Sequence, residues 1–226
     1  MRILTLNETV TASNDRDADV LREKMRQAGT LLFNVMSSPG AGKTTLLSRI
    51  IRDLDDLKIA VMEADIESDV DAARIEALGA KAIQVHTSGM CHMDAGMTSA
   101  AWEALEAGDS DLVFLENVGN LICPAEYDTG AGINLMLLSV PEGDDKPLKY
   151  PLMFQKSDAL VITKLDAAPF FSFQMERCME RVKKLNPDIQ IFPVSAKTGE
   201  GMPALETWLR GSLKQWRTQS ATAIQE

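Results

Sequence analysis

The segment Ser37-Ser38-Pro39-Gly40-Ala41-Gly42-Lys43-Thr44-Thr45 constrains this chain more than any other stretch of it. It follows the apolar run Leu31 to Met36 and opens a helical pattern from Thr44 to Asp53. Strand, small-residue loop and helix in that order make a phosphate-binding loop, because small residues let the backbone curl until successive N–H groups point at phosphate oxygens. Gly40, Ala41, Gly42 and Thr45 supply that backbone, Lys43 is expected to reach the β- and γ-phosphates, and the Thr44 hydroxyl to ligate Mg²⁺. Ser37 stands where the usual pattern begins with glycine. The bland alternative is a glycine-rich turn that happens to precede a lysine, and the strand and helix on either side argue against it.

The rest of the chain repeats this alternation. Apolar runs at Lys58 to Ala64, Ala82 to His86, Leu112 to Leu115, Leu135 to Val140, Ala159 to Thr163 and Ile189 to Val194 alternate with helical patterns at Val70 to Leu78, Ala95 to Ala107, Phe173 to Leu185 and Pro203 to Leu213. Such alternation predicts an α/β fold, a P-loop NTPase with a mostly parallel sheet and helices on both faces, in a single domain. Residues 1–29 read as a helical extension, with Val20, Leu21 and Met25 on one side of a helix from Asp15 to Gln27 and Gly29 as its stop. The GTPase domain with its metal site is expected over 30–216, and 217–226 as a frayed polar tail. Pro141 to Pro147 reads as an exposed loop.

A formal net charge of -10 works against nucleic-acid binding, which relies on a basic surface to release counterions. Met1 to Asp19 lacks the apolar core of a secretory signal, and no uninterrupted run of about 18 apolar residues suggests a membrane span, so a cytoplasmic protein is expected. The three cysteines, Cys91, Cys123 and Cys178, then point to thiol or metal chemistry rather than to a disulfide framework.

Two apolar strands deliver carboxylates at their ends, Asp65 and Glu116. Ligands bind at strand C-termini in such sheets. Both acids are candidate Mg²⁺ neighbours, and Gly119 could offer its N–H to the γ-phosphate, which makes 116–123 a candidate switch. Acids that simply end solvent-facing strands are the alternative. Thr163-Lys164-Leu165-Asp166 follows the strand Ala159 to Ile162, and a carboxylate there accepts two N–H bonds from guanine, whereas adenine offers it the wrong donor pattern. Asp166 therefore argues for GTP over ATP, although Thr163 departs from the asparagine that usually opens this motif. Ser195, Ala196 and Lys197 resemble the last GTPase motif, whose backbone meets the guanine carbonyl.

Cys91 and His92 are adjacent, and Cys123 lies four residues beyond Gly119. Thiolate and imidazole suit Ni²⁺, Zn²⁺ and copper. Two buried cysteines and a hydrogen-bonded histidine would account for the spacing equally well; the position of Cys123 just past the candidate switch favours a metal whose affinity follows the nucleotide. Asp94 is either a further ligand or supporting group or a cap for the next helix. His86 and Cys178 read as structural, and Met36, Met62, Met136 and Met153 as core rather than as copper ligands.

In this order the motifs Ser-Ser-Pro-Gly-Ala-Gly-Lys-Thr-Thr, Glu-Ala-Asp-Ile-Glu-Ser-Asp-Val-Asp, Cys-His-Met-Asp-Ala, Glu-Asn-Val-Gly-Asn-Leu-Ile-Cys-Pro and Thr-Lys-Leu-Asp resemble the hydrogenase nickel-incorporation GTPases, the HypB family. The resemblance spans Leu31 to Gly201. It implies slow GTP hydrolysis to GDP and phosphate, a GTP-dependent homodimer, nickel or zinc at Cys91, His92 and Cys123, and nickel delivery to a NiFe-hydrogenase precursor together with a second metallochaperone. His86 and His92 are the only histidines, so bulk nickel storage is not expected. The group that positions the attacking water is open: Asp65 and Asp69 are possible, and Lys146 or Lys149 could act across a dimer interface. The rival reading is a urease accessory GTPase, which shares the loop and the switch; an ATP-dependent kinase or partitioning ATPase and a passive metal scaffold are more distant.

Overall fold

The computed structural model describes residues 6–65 and 70–223. Seven parallel strands, β1 Leu31–Ser37, β2 Ile59–Asp65, β3 Lys81–His86, β4 Leu112–Glu116, β5 Ile133–Ser139, β6 Ala159–Thr163 and β7 Gln190–Pro193, form one sheet in the order β3-β2-β4-β1-β5-β6-β7. Every pairing is parallel. Parallel strands are covered on both faces and therefore read as unbroken apolar runs, which is why each was legible as a short hydrophobic segment. In β5, Leu135 and Leu137 join one apolar cluster while Met136 and Leu138 join the other, on the opposite face. The methionines at 36, 62, 136 and 153 are all buried core.

The helices α2 Lys43–Asp53, α3 Val70–Glu76, α4 Ala95–Ala104, α8 Met175–Leu185 and α9 Met202–Ala223 cover the sheet. The α2 and α9 side chains Leu46, Ile50, Leu205 and Leu209 pack in the cluster around β1, whereas Cys178 and Val182 of α8 pack in the one on β5 and β6. Each fully buried Leu or Phe contributes about 1.5–3 kcal/mol.

The first helix, α1 Leu6–Ala28, ends in a Schellman turn: Gly29 takes φ 68°, its N–H reaches the Arg26 carbonyl, and the Thr30 N–H reaches that of Met25. Its buried stripe is Ala18, Leu21 and Met25, at helical spacing, and Val20 points away at 71% exposure, contrary to the sequence reading.

Two further expectations are corrected. Pro141 to Pro147 is not an exposed loop: a 3₁₀ turn, Val140–Glu142, is capped by the Glu142 carboxylate accepting from Ser139 N and Oγ (2.8 and 2.7 Å), and α6 Lys146–Lys149 follows at once. Arg181 of α8 pins Asp144 at 3.0 Å, and Pro147 is buried. The segment after Trp216, expected as a frayed tail over 217–226, is helical through Ala223, the last of the described residues. The α9 helix continues to Ala223 because Trp216 is packed beside Gly132 and under the Arg26 guanidinium, and Ser220 is buried. Two more short helices, α5 Cys123–Glu126 and α7 Pro151–Gln155, were not foreseen.

Because all strands run one way, their C-terminal ends share one edge. Chain direction across the sheet reverses around β1: β2 and β4 lie to one side of it, β5 to β7 to the other. Ligands bind at such a reversal. No described helix is long and apolar enough to cross a membrane.

Candidate functional site

The loop after β1 curls as its small residues allow. Gly40 and Gly42 have φ of 75° and 97°, where a side chain would be strained, and Gly42 caps α2. Ser37 has no such φ, so glycine is dispensable there. Its buried hydroxyl donates to the Ser38 carbonyl and accepts from Lys43 Nζ at 3.1 Å. Lys43, only 9% exposed, lies 3.8 Å from Glu116 Oε1, and Thr44 Oγ1 donates to both Glu116 oxygens at 3.2 and 3.3 Å. A hydroxyl and a buried carboxylate in contact at a phosphate loop are the hard oxygen donors that Mg²⁺ takes. A cavity of about 540 Å³ opens here, lined by Gly40, Lys43, Thr44, Glu116 and Gly119. Asp65 ends β2 in register with His86; its side chain and all of Asp69 lie outside the described residues.

The base loop is tied to the phosphate loop. Thr163 Oγ1 donates to the Ala41 carbonyl and Lys164 Nζ to that of Gly40, both at 2.7 Å, so Thr163 does a fastening job in place of the usual asparagine. Lys164 itself has φ 59°. Ser195 Oγ donates to Asp166 Oδ1 at 2.7 Å, which brings the two candidate base-reading motifs together and fixes the carboxylate. Ala196 is held through its carbonyl by Arg49, and Lys197 is exposed.

From Glu116 the chain turns under the phosphate loop. A Cβ on Gly119 would meet Pro39 Cγ at 2.9 Å and Pro39 N at 3.0 Å, so only glycine permits this approach. Four residues on, Cys123 opens α5 with its Sγ 2.7 Å from Cys91 Sγ, and His92 Nδ1 lies 3.9 Å from Cys91 Sγ. One donor atom from each of Cys91, His92 and Cys123 falls within 4.8 Å of the others. Burial holds the His92 pKa below its ordinary value, against the pull of Asp94 and Glu126, so the imidazole is in its neutral, ligating form at neutral pH. The hydrogen bond from Cys91 and burial both raise the Cys123 thiol, so a metal taken up here would have to displace a proton. Asp94 caps α4, its carboxylate accepting from Met97 N at 2.8 Å. His86 sits exposed at the end of β3, outside the cluster.

These two sites meet the comparisons with known proteins. A family model described as the CobW/HypB/UreG nucleotide-binding domain matches residues 31–193. The hydrogenase maturation factor HypB of Azotobacter chroococcum mcd 1 is 44% identical over 209 residues, which cover 92% of this chain and 68% of that protein. The hydrogenase/urease maturation factor HypB of Helicobacter hepaticus is 41% identical, over 93% of this chain and 87% of its own length. The crystal structure of HypB from Helicobacter pylori in complex with nickel aligns at TM-score 0.86 and 40% identity, covering 90% of this chain and 96% of that one.

The chain belongs to the HypB family. That membership decides for HypB over the urease accessory type. Within this HypB-family site, several residues escaped the sequence reading. Tyr127 stacks on the His92 ring at 3.8 Å. Asn14 of α1 donates to the Asp128 carbonyl and accepts from Ala95 N, while Arg22 grips the Asp128 carboxylate in two bonds, so the N-terminal helix braces both loops that carry the thiols. Glu63, Arg74 and Gln84 line the nucleotide cavity, and Glu63 pairs in register with both Gln84 and Glu116. An acid interrupting the apolar run Ile59 to Ala64 was the available signal. Lys146 and Lys149, considered as cross-interface groups, sit beside Glu142 (3.7 Å) and Asp145 (2.6 Å) of their own chain.

Cys178 is a packing residue. It is fully buried, and burial pushes its thiol up to about 12, leaving it protonated at neutral pH. In the native metal-free protein a thiol reagent at pH 8 should modify Cys91 and Cys123 and reach Cys178 only after denaturant is added; rapid reaction at Cys178 would mean that α8 opens readily.

Proposed function

We propose that this chain is a GTP hydrolase that carries nickel as cargo and gates it with the nucleotide, delivering it during maturation of a NiFe-hydrogenase. The observation that carries this reading is a single segment, 116–123, which begins in contact with Thr44 and Lys43 and ends at a thiol beside Cys91. Asp166, steadied by Ser195, selects guanine. Lys43 and the loop N–H groups stabilise the charge that builds on the phosphates as water attacks, and Gly119 is close enough to the loop for its N–H to follow the γ-phosphate. Mg²⁺, when bound at Thr44 and Glu116, with Asp65 as a further candidate ligand, neutralises phosphate charge.

Cys91, His92 and Cys123 offer three soft donors, enough to hold Ni²⁺ or Zn²⁺ while leaving a coordination position to an acceptor. A second metallochaperone is the natural donor and the hydrogenase precursor the acceptor. The exposed Phe170 and Phe171, just past the base loop, give a GTP-dependent homodimer apolar surface to bury.

The test is an anaerobic Ni²⁺ titration of the GDP form and of a form loaded with a nonhydrolysable GTP analogue, following the thiolate-to-nickel band. A coupling of about 1–3 kcal/mol would change affinity roughly 5- to 150-fold between the two states. Cys123→Ala should weaken nickel and reduce that difference. No thiolate band in either state would reduce the cysteines to structure and leave a GTPase of unknown cargo.

A further inference from the structure

The metal loop has a second connection to β4, and it does not pass through a metal ligand. Asn117, fully buried and next in the chain after Glu116, accepts with its side-chain oxygen from the backbone N–H of Met93, at 3.1 Å, and from its own chain at Val118 N, at 2.9 Å. Met93, itself fully buried, follows His92 directly. The orientation of the Asn117 carboxamide is fixed by what lies behind it. Its Nδ2 donates to Asn34 Oδ1 (2.9 Å), Asn34 Nδ2 donates to Asn134 Oδ1 (3.0 Å), and Asn134 Nδ2 donates to the Lys156 carbonyl (3.2 Å). Three carboxamides thus line up head to tail across β4, β1 and β5. A backbone donor stands at one end and a backbone acceptor at the other, so no member can flip without breaking a bond at each side.

We infer that Asn117 is a positioning residue that carries the nucleotide state to the metal loop: movement of the Glu116–Gly119 segment against the phosphate loop shifts the Met93 N–H, and with it His92 and Cys91. This inference rests on the nickel-gating reading and names the contact that does the gating alongside Cys123. It differs from a role in folding alone, because the carboxamide joins the first residue past Glu116, at the lining of the nucleotide cavity, to the residue after His92.

The experiment is the same nickel titration in GDP and GTP-analogue forms, run on the full chain as wild type, Asn117→Ala and Asn117→Asp. The alanine variant keeps all three metal ligands, so the thiolate band should persist while the ratio of the two affinities falls toward one. The aspartate variant keeps an acceptor for both N–H groups but sets a carboxylate oxygen against Asn34 Oδ1, so its ratio should lie between those of the wild type and the alanine variant. Hydrogen exchange at the Met93 amide of the wild type is read in parallel and needs no variant to fold; its protection should differ between the two nucleotide forms. A wild-type ratio preserved in Asn117→Ala, or equal Met93 protection in both forms, overturns the inference while leaving gating through Cys123 intact. A wild-type ratio of one removes the gating reading and this inference with it.

Discussion

Asp166→Asn should weaken GTP binding by roughly 10²-fold or more and transfer the preference to xanthine nucleotides. Guanine presents two N–H groups side by side, and an ionised carboxylate accepts both; each hydrogen bond to a charged group contributes about 1.5–3 kcal/mol. An asparagine keeps one acceptor and turns the other into a donor, so one bond is lost and a donor faces a donor. Xanthine carries a carbonyl where guanine carries the amino group, and the asparagine then matches it. The site supports so selective an exchange because Ser195 Oγ holds Asp166 Oδ1 at 2.7 Å while Lys164 Nζ holds the Gly40 carbonyl, which ties the base loop to the phosphate loop. The measurement is competition of GTP, XTP and ATP for a fluorescent nucleotide on both proteins. Unchanged GTP affinity in the variant would show that Asp166 does not face the base.

The elements that could be read from the sequence share a physical property. Each strand is an apolar run because both of its faces are covered, and each long helix carries its own periodic stripe, so the local pattern reports the environment. Where a residue's role depends on strand order, the pattern is silent. The chain Asn117, Asn34 and Asn134 exists only because β1 lies between β4 and β5, an adjacency that alternation of strands and helices does not specify. The stacking of Tyr127 on His92 likewise joins residues that only the fold brings together. The short helices Cys123–Glu126, Lys146–Lys149 and Pro151–Gln155 are too short for a periodic signal; each has a proline in its first turn and the tertiary packing does the rest. Thr163 shows the reverse case, in which a departure from the expected motif is repaired by a contact, its hydroxyl on the Ala41 carbonyl.

Lys43→Ala should lower GTP turnover by roughly 10²- to 10³-fold, the scale expected when one fixed group that stabilises transition-state charge is removed. The side chain is nearly buried and pre-aimed: Ser37 Oγ holds its ammonium at 3.1 Å, and Glu116 lies at 3.8 Å. Before nucleotide binds, this pairing keeps a buried cation and a buried anion together; removing the lysine takes away the ammonium that lies 3.8 Å from the Glu116 carboxylate. The variant should therefore also lose affinity for GTP, through the missing phosphate contact, while its nucleotide-free nickel spectrum stays as in the wild type, because Cys91, His92 and Cys123 form their own cluster. Phosphate release and the thiolate-to-nickel band, measured on the same preparation, separate these effects. Lost turnover with an intact band means that hydrolysis and metal capture use different residues of one chain, as a GTP-gated carrier requires. Turnover within about tenfold of wild type would mean that the loop amides stabilise the phosphates unaided and that Lys43 serves mainly to hold Glu116 in place.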